Sequence, residues 1–319
     1  MIRSVLSSLL FACLASTLAL AHAAPVHAAA DADRPLVSID LPTDPNAPVI
    51  ATLVMAGHSY RMIVDTGAGD LVFHLPVAQR NLQSAAADPG QPRQAKGLYG
   101  DIELKHFRAD TFAVGDWTVQ TRGEVLAVDL GRLVQEYGVD GLLGTPYLSE
   151  LSWHWDRRAH TLSGFRQGAP AIARIRARLQ CVQLLDVDGN PGVPLSIGGE
   201  QAAFAIDTGD MGVSGNLNPQ DREALAYRGA VRASAQIDGH FDVSGKSLPP
   251  LQMTQIQNVS MGSIKLDGLV FGEINRSSRL GLGFLGKFDE VLLDFGTGKF
   301  CTPAVDHLDP DTLSPWRSN

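Results

Sequence analysis

The sequence has little of what marks nucleic-acid binding or metal binding. Lys and Arg number 26 against 34 Asp and Glu, giving a formal net charge of −8 without a basic run. A nucleic-acid partner is therefore not expected, since such proteins carry clustered positive charge. The histidines lack an HExxH motif or an accompanying cysteine pair, so we expect no metal and no other cofactor.

Long apolar runs are absent after the N-terminus. Beyond residue 23 no stretch approaches the 18 consecutive apolar residues of a membrane-spanning helix, so no stable membrane insertion is expected. Residues 1–23 predict a signal peptide, with Arg3 near its start, an apolar stretch from Val5 to Leu20 and a cleavage site at Ala21-His22-Ala23. We expect export to the periplasm or the medium, and a lipoprotein signal at Cys13 is the alternative. Removing this segment takes away one Arg and no acid, so the net charge becomes −9.

The most informative feature present is a repeated heptapeptide. Ile63-Val64-Asp65-Thr66-Gly67-Ala68-Gly69 returns 142 residues later as Ala205-Ile206-Asp207-Thr208-Gly209-Asp210-Met211. In both copies an apolar run typical of a strand leads into the aspartate, and the glycine two residues later allows a tight turn. One Asp-Thr-Gly copy is ordinary turn chemistry, whereas two copies in matched surroundings call for an explanation.

The surroundings of the heptapeptide repeat as well. A glycine in a predicted hairpin turn lies eight residues before each aspartate, at Gly57 and Gly199, and another follows 32 residues after it, at Gly97 and Gly239. Later come two glycine-bounded apolar segments, Gly141-Leu142-Leu143-Gly144 and Leu280-Gly281-Leu282-Gly283. A repeat of this length indicates two copies of one folding unit, built from short alternating strands.

These paired motifs resemble the aspartic peptidase superfamily, in which two lobes or two subunits each donate one Asp-Thr-Gly loop to a shared site. Ala68 is similar to the retropepsin form. The family's apolar-apolar-Gly element is matched by Leu142-Leu143-Gly144 and, less well, by Gly281-Leu282-Gly283. The resemblance runs from about Leu36 to about Phe300. It implies an all-β fold with a few short helices, made of two homologous retropepsin- or pepsin-like lobes with the cleft between them.

The predicted organisation follows from the repeat and from changes in composition. We divide the chain into a signal peptide (1–23), an irregular lead-in (24–47), an N-terminal lobe (48–166), an interlobe connector (167–177), a C-terminal lobe (178–305) and a tail (306–319).

The resemblance assigns roles to the residues of both motifs. Asp65 and Asp207 would be the catalytic pair, sharing one proton because two close carboxylates do not both ionise easily. Active-site loop support would come from Thr66 and Thr208, bonding across the loops, and from Gly67 and Gly209, which supply the turns. Two hairpin turns in a duplicated β protein without chemistry are the alternative.

Three further features leave alternatives open. Asp210 stands where the first copy has Ala68, and it either raises the proton affinity of the pair or points outward and caps a turn. Gly97, Tyr99 and Gly100 form either a mobile flap over substrate or a surface hairpin. Cys181 and Cys301 either form a disulfide or remain buried thiols.

We therefore expect an exported, monomeric aspartic endopeptidase that hydrolyses peptide bonds in a substrate held in an extended conformation. The rival is a catalytically weak or inactive protein of the cell envelope that uses the same fold to bind peptides. A purely structural envelope protein is the third alternative.

Overall fold

The computed structural model describes residues 33–85, 94–97, 100–237, 247 and 250–311. The predicted signal peptide lies outside these ranges. Short strands dominate the described residues and the helices are short, so the fold is mainly β, as predicted. In the same ranges no helix has the length and apolar character needed to cross a membrane.

The strands divide at residue 166 into two sets. The first set is β1 (Val37–Asp40), β2 (Ile50–Met55), β3 (His58–Asp65), β4 (Leu71–His74), β5 (Gln94–Gly97), β6 (Gly100–Glu103), β7 (Lys105–Arg108), β8 (Thr111–Val114), β9 (Trp117–Gln120), β10 (Glu124–Val128), β11 (Gly141–Gly144), β12 (Leu151–Asp156) and β13 (Thr161–Arg166). The second set is β14 (Gln180–Gln183), β15 (Leu185–Val187), β16 (Asn190–Ile197), β17 (Glu200–Ile206), β18 (Gly215–Leu217), β19 (Val231–Ile237), β20 (Leu251–Ile256), β21 (Val259–Met261), β22 (Ile264–Lys265), β23 (Val270–Glu273), β24 (Arg279–Leu280), β25 (Glu290–Asp294) and β26 (Lys299–Thr302). The helices are α1 (Leu75–Asn81), α2 (Gly131–Tyr137), α3 (Thr145–Leu148), α4 (Pro170–Arg176), α5 (Pro219–Tyr227) and α6 (Leu282–Leu285).

The internal repeat is visible in the order of the strands. One sheet runs β7-β10-β4-β11-β3-β2-β8-β9, and a second runs β20-β23-β18-β24-β17-β16-β21-β22 with β19 added beside β20 and β15 beside β16. Each strand of the first order has its counterpart at the same place in the second. The two halves of the sequence therefore form two sheets of one topology.

The hairpin turns predicted before each motif are present. Ala56 and Gly57 connect β2 to β3 with positive φ angles of 51° and 78°, and Gly198 and Gly199 connect β16 to β17 with φ angles of 57° and 94°. Both central residues of such a two-residue turn need the left-handed region, which glycine adopts without steric cost. These turns set the register of β3 and β17, which carry the motifs.

The strand that ends at Asp65 lies in the middle of its sheet. β11 pairs in parallel with β3, placing Gly144 opposite Asp65, and it pairs antiparallel with β4 on its other side. The residues Met62 to Val64 are almost fully buried. A strand covered on both faces reads as a continuous apolar run, which explains the apolar approach to the motif.

A third sheet joins the two halves. Its order is β1-β13-β12-β25-β26-β14, so three strands on one side of its centre mirror three on the other. The central pair β12 and β25 is antiparallel, with Trp153 opposite Leu293. Trp153 and Trp155 are buried in the core, and His154 contacts Glu290 at 2.5 Å, so this strand has a packing role.

Two helices follow the sequence signals closely. Asn218 accepts a hydrogen bond from the backbone N–H of Asp221 at 2.8 Å and caps α5, with Pro219 at its first position. The interlobe connector contains α4. In the first half α1 ends at Asn81.

A disulfide joins Cys181 in β14 to Cys301 in β26, at directly paired positions. The bond closes a loop with a sequence separation of 120 residues, which contains the second sheet and its motif. Closing a loop of this length removes conformational entropy from the unfolded chain.

We expect the double variant Cys181→Ala/Cys301→Ala to lose about 2–5 kcal/mol of unfolding free energy because the unfolded chain regains that entropy. Urea unfolding of the oxidised protein and of the variant measures the difference. The reduced wild-type protein is the control, and it should match the variant. Equal stability of the oxidised and reduced forms would contradict the expectation.

Candidate active site

The first motif loop begins where β3 ends. Asp65 is 8% exposed, and its Oδ1 accepts hydrogen bonds from the backbone N–H groups of Gly67 at 2.8 Å and Ala68 at 3.1 Å. The turn thus holds the carboxyl group in one orientation. Thr145, at the start of α3, supports the loop by donating to the carbonyl oxygen of Thr66 at 2.7 Å.

The second loop repeats this geometry. Asp207 follows β17, is 5% exposed, and accepts a hydrogen bond from the N–H of Gly209 at 2.9 Å. Leu282 donates its N–H to the carbonyl oxygen of Asp210 at 2.8 Å, just as Thr145 donates its N–H to that of Ala68 at 2.9 Å. The same local structure therefore presents both aspartates.

The two threonines bind the loops together. The N–H of Thr66 donates to Oγ1 of Thr208, and the N–H of Thr208 donates to Oγ1 of Thr66, both at 3.0 Å. Each hydroxyl also donates into the opposite strand, Thr66 to the carbonyl oxygen of Ile206 at 2.7 Å and Thr208 to that of Val64 at 2.6 Å. Four buried hydrogen bonds thus fix one loop against the other.

The glycines of the motifs allow the carboxyl groups to approach. A Cβ atom at Gly67 would overlap the carboxyl group of Asp207, and one at Gly209 would overlap that of Asp65. Each carboxyl group therefore lies against the glycine of the opposite loop. Glycine is needed here for space, and the result is that Asp65 and Asp207 lie side by side.

The electrostatics follow from this packing. Burial, followed by the charge of neighbouring Asp207, raises the pKa of Asp65 to about 8, while the hydrogen bond from Gly67 opposes the shift. The two carboxyl groups lie within hydrogen-bonding reach of each other. The pair therefore holds one proton over a wide pH range, because a second negative charge in this site is unfavourable.

A buried arginine beside Asp207 is the residue of the candidate site that the sequence analysis missed. Nη1 of Arg279 donates to Oδ2 of Asp207, and the arginine is 1% exposed. Arg279 lies opposite Ala205 in the β17–β24 pairing, as Leu142 lies opposite Ile63 in the β3–β11 pairing. The signal in the sequence was therefore a charged residue at a position that is apolar in the first half.

This register corrects one alignment made from the sequence. The counterpart of Leu142-Leu143-Gly144 is the segment from Arg279 to Gly281, two residues earlier than Gly281-Leu282-Gly283. The alignment by glycines was wrong for two reasons. In the second half Gly281 corresponds to Gly144, and the first apolar residue of the element, Leu142, is replaced by Arg279. The difference between the two halves at this position is therefore electrostatic.

Asp210 is partly buried beside this ion pair. Burial, and then the charge of Asp207, raises the pKa of Asp210 to about 7, while a hydrogen bond from the Asn216 amide at 2.6 Å opposes the shift. The outward-pointing alternative is wrong, because the carboxyl group interacts with Asp207 and Arg279. A second arginine, Arg276, is partly buried close enough to feel the charges of both Asp65 and Asp207.

The candidate flap is described only in part. β5 and β6 form a two-stranded sheet of their own, and Gly97 pairs with Gly100 at its end. Tyr99 lies outside the described residues, as do residues 239–242 of the second half. A hairpin is present, and its action as a flap stays a prediction.

Cys181 and Cys301 belong to the sheet that joins the halves.

Residues 51–147 match the aspartyl protease family model. The matched region contains Asp65 and its loop, and the repeated motif at Asp207 lies outside it. Among solved structures, an aspartic proteinase from Irpex lacteus is similar to this chain at 12% identity and a TM-score of 0.49, over 83% of this chain and 96% of that one. No curated protein matches the chain. The family match supports a relationship to the aspartic peptidase superfamily and a peptidase-type function.

We expect Thr66→Val and Thr208→Val each to lower the free energy of unfolding by about 2–4 kcal/mol, because each leaves buried backbone groups of the other loop unsatisfied. The double variant should lose less than the sum, since both changes remove the same contact. Urea unfolding of the four proteins gives the coupling energy. Thr302→Val is the control, since its buried hydroxyl donates only to the adjacent carbonyl at 3.3 Å. Additive losses would contradict coupling between the loops.

The raised pKa of Asp65 predicts a loss of stability with rising pH. Because the folded state holds this proton more tightly than the unfolded chain, the stabilisation is complete below about pH 4 and is lost as the pH rises through about 8. We expect the free energy of unfolding to fall over this interval, and to fall less in Asp65→Asn. Urea unfolding across the interval measures both slopes, with Asp186→Asn as the surface control. Equal slopes in the wild type and Asp65→Asn would contradict the assignment.

Proposed function

We propose that the chain is an aspartic endopeptidase that hydrolyses peptide bonds with a water molecule activated by Asp65 and Asp207. The observation that carries the proposal is the placement of the two carboxyl groups side by side, from two copies of one loop, with a raised pKa on Asp65. The family match over residues 51–147 supports the same activity.

The chemistry requires one ionised and one protonated carboxyl group. The water oxygen bonds to the scissile carbonyl carbon while one water proton passes to the ionised carboxylate, and the protonated partner gives its proton to the carbonyl oxygen. The C–N bond of the resulting diol then breaks. The first carboxyl group protonates the leaving nitrogen, and one diol proton returns to the second, which restores the pair. The reaction needs no covalent enzyme intermediate.

The substrate would be a peptide or protein segment in an extended conformation. Peptides held this way pair their backbone with a strand of the protein and place alternate side chains in pockets. The β5–β6 hairpin forms a two-stranded sheet of its own and is the proposed flap. Tyr99 is the proposed flap residue that contacts substrate. Since both loops belong to one chain, the proposed active form is a monomer.

The proposed location is outside the cytoplasm, in the periplasm or the medium, on the basis of the signal peptide predicted at residues 1–23. The Cys181–Cys301 disulfide is consistent with this proposal, because disulfides persist in oxidising compartments.

One observation favours a second candidate function, a peptide-binding protein with weak or no catalysis. Arg279 occupies one oxygen of Asp207, so part of the acceptor capacity of this carboxylate is used within the protein. The two candidates share the cleft and the extended ligand, and they differ in whether the bound peptide is cut.

We expect the protein without residues 1–23 to cleave members of a broad peptide library tested from about pH 3 to pH 8, with activity lost as the pH rises through the pKa of Asp65, about 8, because the acid of the pair then loses its proton. Asp65→Asn and Asp207→Asn should each reduce kcat by at least about 10³-fold, because each removes one of the two proton-transfer groups. Mass spectrometry of the products measures cleavage. Asp294→Asn, a buried acid in the sheet that joins the halves, is the matched control.

Cleavage that persists in both variants would exclude this pair as the catalytic centre. Saturable peptide binding without cleavage at any pH would instead support the binding protein.

A further inference from the structure

The site differs between the two halves at three linked positions. In the first half these positions are Ala68 in the loop after Asp65, Val72 in β4 and Leu142 in β11, and all three are apolar. Their counterparts in the second half are Asp210, Asn216 and Arg279, and all three are polar. Asn216 lies directly opposite Arg279 in the β18–β24 pairing, just as Val72 lies opposite Leu142 in the β4–β11 pairing.

These three side chains form one connected group around Asp207. Arg279 donates to Asp207, Asn216 donates to Asp210, and the charges of Asp210 and Arg279 interact. The backbone around them retains the pattern of the first half, since Leu282 bonds to Asp210 as Thr145 bonds to Ala68. The polar group has thus been added to an otherwise repeated framework.

The burial of Arg279 constrains the charge on its partner. Arginine remains protonated in proteins, and a buried guanidinium without a counter-ion is strongly destabilising. With the side chains of Arg279 and Asp207 only 1% and 7% exposed, solvent cannot replace the contact. Asp207 is therefore the carboxyl group that carries the negative charge.

The remaining charges around the pair agree with this assignment. Among the described residues no arginine hydrogen-bonds to Asp65, although the charge of Arg279 lowers its pKa slightly against the effects of burial and of Asp207. Asp65 is the buried partner whose pKa is raised to about 8, so it retains the shared proton. Asp210, whose pKa is raised to about 7, is neutral at acidic pH and competes for Arg279 only as it ionises. Arg276 is partly buried, and its charge interacts with those of Asp65, Asp207, Asp188 and Arg279.

We propose that Arg279 is a positioning residue that determines which carboxyl group is the base and which is the acid. Asp207 is the base that takes the proton from water, and Asp65 is the acid. This inference rests on the proposed function. The symmetry of the loops leaves the two roles interchangeable, and the added arginine removes that equivalence.

The test separates the charge of Arg279 from its hydrogen bond. Arg279→Gln retains a donor without charge, and Arg279→Lys retains the charge. Removing the positive charge should move the acid limb of the kcat profile to higher pH by about one unit or more, because Asp207 then protonates more easily. The lysine variant should recover most of that shift. Arg176→Gln is the matched control, since Arg176 pairs with the buried acid Asp294 in the sheet that joins the halves.

A second readout does not depend on cleavage. Carbon NMR of protein labelled at the aspartate carboxyl groups follows their titration, and Asp207→Asn identifies the signal of Asp207. We expect this signal to titrate at higher pH in Arg279→Gln than in the wild type. If the wild type cleaves nothing, the proposed function fails, and the titration still decides whether Arg279 fixes the charge.

Two results would overturn the inference. One is an acid limb and an Asp207 titration in Arg279→Gln that both match the wild type. The other is a lysine variant that behaves like the glutamine variant, because the effect would then not come from the charge.

Discussion

The structure depends on the contact between two threonines from opposite halves of the chain. Thr66 and Thr208 exchange two buried hydrogen bonds, and each hydroxyl donates one more to a backbone carbonyl of the opposite strand, at Ile206 and Val64. Since the loops leave their strands at equivalent points, this contact forces the carboxyl groups of Asp65 and Asp207 against each other. The raised pKa of Asp65 is a consequence of that enforced proximity together with burial.

The same contact explains why the second half carries different side chains at three positions and still has the loop structure of the first half. The backbone bonds that hold each loop are independent of the side chains at the three linked positions. Asp210, Asn216 and Arg279 could therefore introduce charge beside Asp207 while the loop retained its shape. The result is a site that is symmetrical in its backbone and asymmetrical in its charges.

The sequence predicted the parts of the fold that depend on local signals and on the repeat. Gly57 and Gly199 marked the two hairpins, because glycine satisfies the local requirement of the backbone at these turns. The ion pair between Arg279 and Asp207 was not predictable in the same way, because it depends on the register of β24 beside β17. The alignment made from the sequence was shifted by two residues, so it placed Gly281 at the position equivalent to Leu142, where the structure has Arg279. Asp210 was noticed as a departure, but only the packing around it shows which way its carboxyl group faces.

The central claim is that Asp65 and Asp207 form one catalytic pair that binds a tetrahedral reaction centre. A crystal structure with a peptide analogue that carries a tetrahedral hydroxyl in place of the scissile carbonyl tests this claim most directly. The account predicts that the hydroxyl lies between the two carboxyl groups, within hydrogen-bonding distance of both. An analogue bound in the cleft with its hydroxyl away from the pair, or no binding at any pH at which the protein is folded, would contradict it.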